Sequence, residues 1–94
     1  AEDFACRYGG EEFVIVLPET PPDIVLQRAE FLRREVEKLD VQFHSKSIGK
    51  KTVSIGIADY PNHGDTVDQI LQASDEALYK AKAQGRNQVV VFEG

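Results

Sequence analysis

Apolar and polar positions along this chain follow two periods, and the switches between them mark out its elements. Residues 3–8 (DFACRY) and 13–17 (FVIVL) are short β-rich runs flanking Gly9 and Gly10. A Gly-Gly pair between such runs predicts a hairpin, because glycine accepts the positive φ of tight hairpin turns. FVIVL is apolar on both faces, the pattern of a covered, central strand. Thr20-Pro-Pro-Asp23 then reads as a helix start, with Thr20 as cap and Pro21 at the first helical position. Val25, Ala29, Leu32, Val36 and Leu39 recur at spacings of four and three and form one apolar stripe. Charged residues fill the opposite face, where Glu30 and Arg34 make a favourable i,i+4 pair.

The stretch from Val41 to Tyr60 predicts two strands around a turn at 47–50. In the second, Val53, Ile55 and Ile57 alternate with Thr52, Ser54, Gly56 and Ala58. One face is thus strongly apolar and the other is made of small residues that a helix could approach closely. PNHGD is a loop, and Thr66 caps a second helix with Gln69 at the capping-box position. Val67, Ile70, Leu71, Ser74, Ala77, Leu78 and Ala81 line its predicted inner face. Gly85 stops the helix, and residues 89–92 form a last strand. The order is hairpin, helix, hairpin, helix, strand: an α+β sandwich with helices against a mixed sheet.

Composition narrows the function classes. Ninety-four residues, 41% of them hydrophobic, can bury a real core in one domain or part of one. No apolar run approaches the ~18 to 20 residues needed to cross a bilayer, so no membrane contact is expected from this segment. A net charge of −5 argues against a nucleic-acid-coating surface, so any phosphate must be met by a few placed cations or by metal. The single cysteine, Cys6, excludes an internal disulfide and suits a reducing cytoplasm. Its mid-strand position fits a small core side chain. The chain has no methionine and opens inside a strand-like run, as expected of a piece of a longer protein.

Two groups of residues could carry chemistry. Glu11 and Glu12 follow the glycines directly. Neighbours on a strand point to opposite faces, so Glu11, nearer the turn, is the better candidate for a site at the hairpin tip. Carboxylates there could hold Mg²⁺ with substrate phosphates, and Gly9 and Gly10 would let a nucleotide approach the backbone. A solvated hairpin with incidental acids satisfies the same spacing. Lys82 and Arg86, four apart at the end of the second helix, could grip phosphate oxygens or simply complement the helix dipole. His44 and His63 stand apart from each other and read as surface or loop residues.

RYGGEEF at 7–13 resembles the defining motif of GGDEF domains, the diguanylate cyclases, in the variant with Glu at the third position. TVSIGIA at 52–58 and ASDEALYKAKAQGRN at 73–87 resemble the family's later blocks, in the same order. The resemblance implies a fold related to the adenylyl cyclase and polymerase palm, a mixed sheet flanked by helices. It also implies an activity: two domains meet as a homodimer, each holding GTP, and form cyclic di-GMP with release of two pyrophosphates. Carried onto this chain, Gly9 and Gly10 border the nucleotide and Glu11 is a metal ligand and general base. Glu12 supports the metal, which is Mg²⁺ or Mn²⁺, and Lys82 and Arg86 hold the GTP phosphates. Asp3 matches the acid of an Arg-x-x-Asp product-inhibition motif that binds cyclic di-GMP, its Arg falling one position before Ala1.

Two departures qualify the likeness. Phe31 stands where some relatives have a second Arg for the dimeric product, which weakens the case for cross-domain inhibition through that helix. The family's N-terminal strand and helices, with a further metal-binding Asp and the guanine-recognising residues, have no counterpart in these residues. On the resemblance, residues 1–94 are the C-terminal part of one GGDEF domain, with a sensor upstream in the parent chain. The fragment would expose an unpaired sheet edge and be inactive alone. The alternative is a non-catalytic GGDEF module that binds GTP, cyclic di-GMP or a protein partner.

Overall fold

The computed structural model describes residues 2–9, 13–38, 40–43, 46–50 and 52–93. Its elements in chain order are β1 (Glu2–Gly9), β2 (Phe13–Thr20), α1 (Pro22–Lys38), β3 (Asp40–Phe43), β4 (Lys46–Lys50), β5 (Ser54–Tyr60), α2 (Val67–Ala83) and β6 (Val89–Val91). Four strands form one sheet in the order β2-β1-β5-β6, and β3 and β4 form a separate hairpin. β1 pairs antiparallel with both β2 and β5, whereas β5 and β6 run parallel, so the sheet is mixed.

Strand alternation assigns each helix its face. Phe4, Cys6 and Tyr8 of β1 and Ile55 and Ile57 of β5 join Val25 and Ala29 of α1 in one core. Leu32 and Val36 continue that stripe at its half-buried border. The intervening residues Ala5 and Ala58 meet Ile70 and Ala73 of α2 on the other face. α2 comes closest at Gly56, where a β-carbon would overlap the Leu78 backbone nitrogen and the Ser74 carbonyl, with Leu78 Cα only 2.8 Å away. The small-residue face expected of β5 is therefore a seat for α2.

Several local expectations are corrected. β2 lies at the edge of the four-stranded sheet, not at its centre: among the described strands it pairs with β1 alone, while β1 pairs with both β2 and β5. Apolar content reports burial of faces and says nothing of how many neighbours a strand has. The outer edge of β2 pairs with no described strand. α1 starts one residue late: Pro22 opens it, and the Pro21 carbonyl accepts from Ile24 N at 3.1 Å and Val25 N at 3.2 Å. The Thr20 hydroxyl turns back to the Pro18 carbonyl at 3.0 Å and caps nothing. Residues 47–50 lie within β4, paired to β3, so the segment makes three strands where alternation predicted two. Val67 is exposed at the mouth of α2, while Ala73 joins the buried face. Leu39 and His44 fall outside the described residues.

The helix signals of α2 hold. Thr66 Oγ1 accepts from Gln69 N at 3.2 Å, and Gln69 Oε1 accepts from Asp65 N at 2.7 Å. At the far end Gly85 has φ +119°, its N–H reaches the Lys82 carbonyl, and Arg86 N donates to the Ala81 carbonyl at 2.9 Å. That pair of bonds is a Schellman closure. The Glu30–Arg34 pair is present at 3.7 Å. His63 is a half-buried loop residue whose Nδ1 accepts from Asp59 N at 2.9 Å and whose ring meets Phe92 edge-on.

Two predictions follow from this packing. Gly56→Ala should cost roughly 3 kcal/mol or more, because the obstacle is backbone on both sides, and urea unfolding measures it. Burial pushes the Cys6 thiol up from 9.0 to about 11, and burial with the neighbouring Cys6 pushes Tyr8 up to about 12. An unfolded chain releases the Cys6 proton first, so its contribution, up to about 3 kcal/mol, is complete below pH 9 and is lost as pH rises to 11. In Cys6→Ala the alkaline fall in urea midpoint should begin later, near the ordinary tyrosine range.

Candidate functional site

The two stretches that sequence singled out meet at one end of the sheet. β1 ends at Gly9, which pairs with Ser54, the first residue of β5. The Ser54 hydroxyl accepts from Asn87 N at 3.1 Å, and Ile55 N donates to the Gln88 carbonyl at 3.0 Å. Asn87 directly follows Arg86. One strand spacing, about 4.8 Å, and one hydrogen bond thus connect the glycine end of the first hairpin to the turn after α2.

Gly10, Glu11 and Glu12 lie outside the described residues, so their expected roles rest on sequence. β1 and β2 bracket them, with Tyr8 opposite Phe13. Among the described residues no group of three or more His, Cys, Asp or Glu could hold a metal ion. Lys82 is half-buried in the last turn of α2, and Arg86 is exposed just beyond the helix. A helix C-terminus carries partial negative charge, so any anion held here depends on these two cations to overcome it.

Asp3 sits at the opposite end. It pairs with Tyr60, the last residue of β5, six positions along β1 from Gly9, or about 20 Å. Its Oδ1 accepts from Glu19 N at 2.8 Å, tying the start of β1 to the end of β2. A cavity of about 480 Å³ opens beside it, lined by Phe4, Tyr60, Val67, Ile70 and Leu71 among others. Phe31 projects from α1 with 66% exposure.

A family model described as "Diguanylate cyclase, GGDEF domain" matches residues 1–88. The chain belongs to the GGDEF family. It is 42% identical over 91 residues to the response regulator PleD of Caulobacter vibrioides, covering 96% of this chain and 20% of that protein. Diguanylate cyclase DgcM of Escherichia coli is 41% identical over 88 residues, covering 94% of this chain and again 20% of the relative. The chain therefore spans about a fifth of the length of these relatives. Among solved structures, the coiled coil and GGDEF domain of DgcB from Caulobacter crescentus, in complex with c-di-GMP, matches with a TM-score of 0.81 and 33% identity. That match covers 95% of this chain and 47% of that one, and it bears out the α+β fold with its mixed sheet and helices.

Sequence reasoning missed what holds this end of the sheet together. Asn87 and Ser54 lock the α2–β6 turn to β5, and Arg33 of α1, only 16% exposed, reaches Asn87 Oδ1 at 3.0 Å. Asn directly after Gly-Arg was the available signal, since Asn is one of the few residues at ease with positive φ. Arg33 also grips Glu30 through Nε at 3.2 Å and Nη2 at 3.0 Å. The hydrogen bond from Arg33 holds the Glu30 carboxyl below the usual carboxylate range. Ser54→Ala, which strands the part-buried Asn87 N–H, should cost about 1–2 kcal/mol in urea unfolding.

Proposed function

We propose that this chain forms the metal-holding and phosphate-gripping part of a diguanylate cyclase domain that condenses two GTP to cyclic di-GMP. In each half of a homodimer, the 3′-hydroxyl of one GTP attacks the α-phosphate of the other. A P–O bond forms, pyrophosphate leaves, and Glu11 takes the hydroxyl proton. Lys82 and Arg86 hold the phosphates and fix the line of attack, and Gly9 and Gly10 admit the nucleotide against the backbone. Positioning and electrostatics dominate such chemistry, so few protein groups suffice.

Glu11 and Glu12 offer hard oxygen donors, which suit Mg²⁺ or Mn²⁺ alongside substrate phosphates. When bound, the divalent ion supplies charge stabilisation at the phosphate and lowers the pKa of the attacking hydroxyl. The observation that carries this reading is the meeting of the Gly9 end of β1 with the Arg86 turn through Ser54 and Asn87. The intact GGEEF stretch and the likeness to diguanylate cyclase DgcM support it further.

Asp3, about 20 Å from Gly9 along β1, serves a separate product-inhibition site for cyclic di-GMP. The DgcB complex with c-di-GMP supports product binding by a relative. The domain is completed by sequence outside these residues, and an upstream sensor governs its pairing in the cytoplasm. No described helix is long and apolar enough to cross a membrane.

The test is cyclic di-GMP formation from GTP and Mg²⁺ by the full-length protein. Glu11→Ala should lower turnover by about 100-fold or more. Lys82→Ala and Arg86→Ala should each raise KM about tenfold, the loss expected for a charge-assisted phosphate contact. The 94-residue chain alone should give no product. Absence of product from a dimeric full-length protein would leave the chain as a binding module.

A further inference from the structure

Three consecutive residues after α2 have positive φ: Gly85 at +119°, Arg86 at +62° and Asn87 at +50°. Glycine takes this conformation freely and asparagine tolerates it, but arginine has no local reason to adopt it. Something outside Arg86 must hold its backbone there. The Arg86 guanidinium is exposed and makes no hydrogen bond or ion pair to a described residue that could do so. Part of the restraint is the bond from its own N–H to the Ala81 carbonyl, with Gln88 Nε2 donating to its carbonyl at 3.2 Å, and the rest comes from its neighbour.

Asn87 is bonded on every polar group. Its N–H donates to Ser54 Oγ of β5 at 3.1 Å. Its backbone carbonyl and Oδ1 both accept from Arg33 Nη1, at 3.5 and 3.0 Å, and its Nδ2 donates to Glu37 Oε2. Arg33 is in turn fixed by its two bonds to Glu30. A sheet strand and two successive turns of α1 therefore converge on one loop asparagine, more than 30 residues away in sequence from each of them.

We infer that Asn87 is a positioning residue for Arg86: the Glu30–Arg33–Asn87–Glu37 network of α1 sets the left-handed turn that presents the Arg86 guanidinium to the nucleotide phosphates. The inference rests on the reading of Arg86 as a phosphate ligand. Its physical content is preorganisation. An arginine held at a fixed turn loses less conformational freedom on binding than one on a loose loop. Weakening the network then weakens phosphate binding without removing any group that touches substrate.

The experiment is a double-mutant cycle in the full-length protein. The dissociation constant of a non-reacting α,β-methylene GTP analogue with Mg²⁺ is measured for wild type, Arg86→Ala, Asn87→Ala and the pair. Asn87→Ala should bind about tenfold more weakly, and the double variant should match Arg86→Ala within about twofold, because both changes disable the same contact. A second arm reverses one hydrogen bond. Asn87→Asp sets two carboxylates together and should weaken binding, and adding Glu37→Gln should restore it, since the amide can now donate from the helix side. If Asn87→Ala fails to melt cooperatively, Asn87→Gly, free to adopt positive φ, takes its place in the cycle. Losses that multiply in the double variant, or wild-type affinity in Asn87→Ala beside a weakened Arg86→Ala, overturn the inference alone. Wild-type affinity in Arg86→Ala overturns the reading of Arg86 as a phosphate ligand and the inference with it.

Discussion

The close approach of α2 to β5 is the constraint on which the rest of this structure depends. At Gly56 the helix backbone occupies the space a side chain would need, and Ser74, Ala77 and Ala81 keep the helix side of the seam equally small. Small residues on both sides let two backbones come together, and they also fix where along the strand the helix sits. That depth decides where α2 ends. Its last turn, with Lys82 in it and Arg86 just beyond, emerges beside the start of β5 and the end of β1. Packing in the core thus sets the position of cations at the surface.

The opposite face of the sheet works by volume. Ile55, Ile57, Phe4, Cys6 and Tyr8 fill the space under α1 and are almost wholly buried. Burying a side chain such as isoleucine contributes roughly 1.5–3 kcal/mol, so this face supplies much of the stability. α1 adds a polar connection at its border, where Arg33 leaves the helix surface to bond Asn87. The two helices never need to touch. They communicate through the sheet and through one turn.

This arrangement gives the two ends of β1 different surroundings. Its Gly9 end faces the turn that bears Arg86, and its Asp3 end faces Tyr60 and the apolar cavity. The strand keeps its two ends apart by a fixed distance, about 20 Å from Asp3 to Gly9. The buried alternation of the strand cannot slip by one residue without turning Phe4, Cys6 and Tyr8 out of the core.

Sequence by itself determined both helices and the strands of the four-stranded sheet, most of each helix's buried face, the closure of α2 at Gly85 and the small-residue seat at Gly56. Those are local or periodic signals: caps, glycine, and alternation read directly from neighbouring side chains. The family blocks in their order were also legible, and with them the candidate residues Gly9, Gly10, Glu11, Glu12, Lys82, Arg86 and Asp3. Only the tertiary structure decided that β2 is an edge strand, that residues 46–50 pair with β3, and that Val67 is exposed. It also decided that Ser54, Arg33 and Asn87 meet. These are facts about partners distant in the chain. An apolar run looks the same with one neighbouring strand or two, and an arginine on a charged helix face looks solvated until the sheet brings a loop asparagine to it.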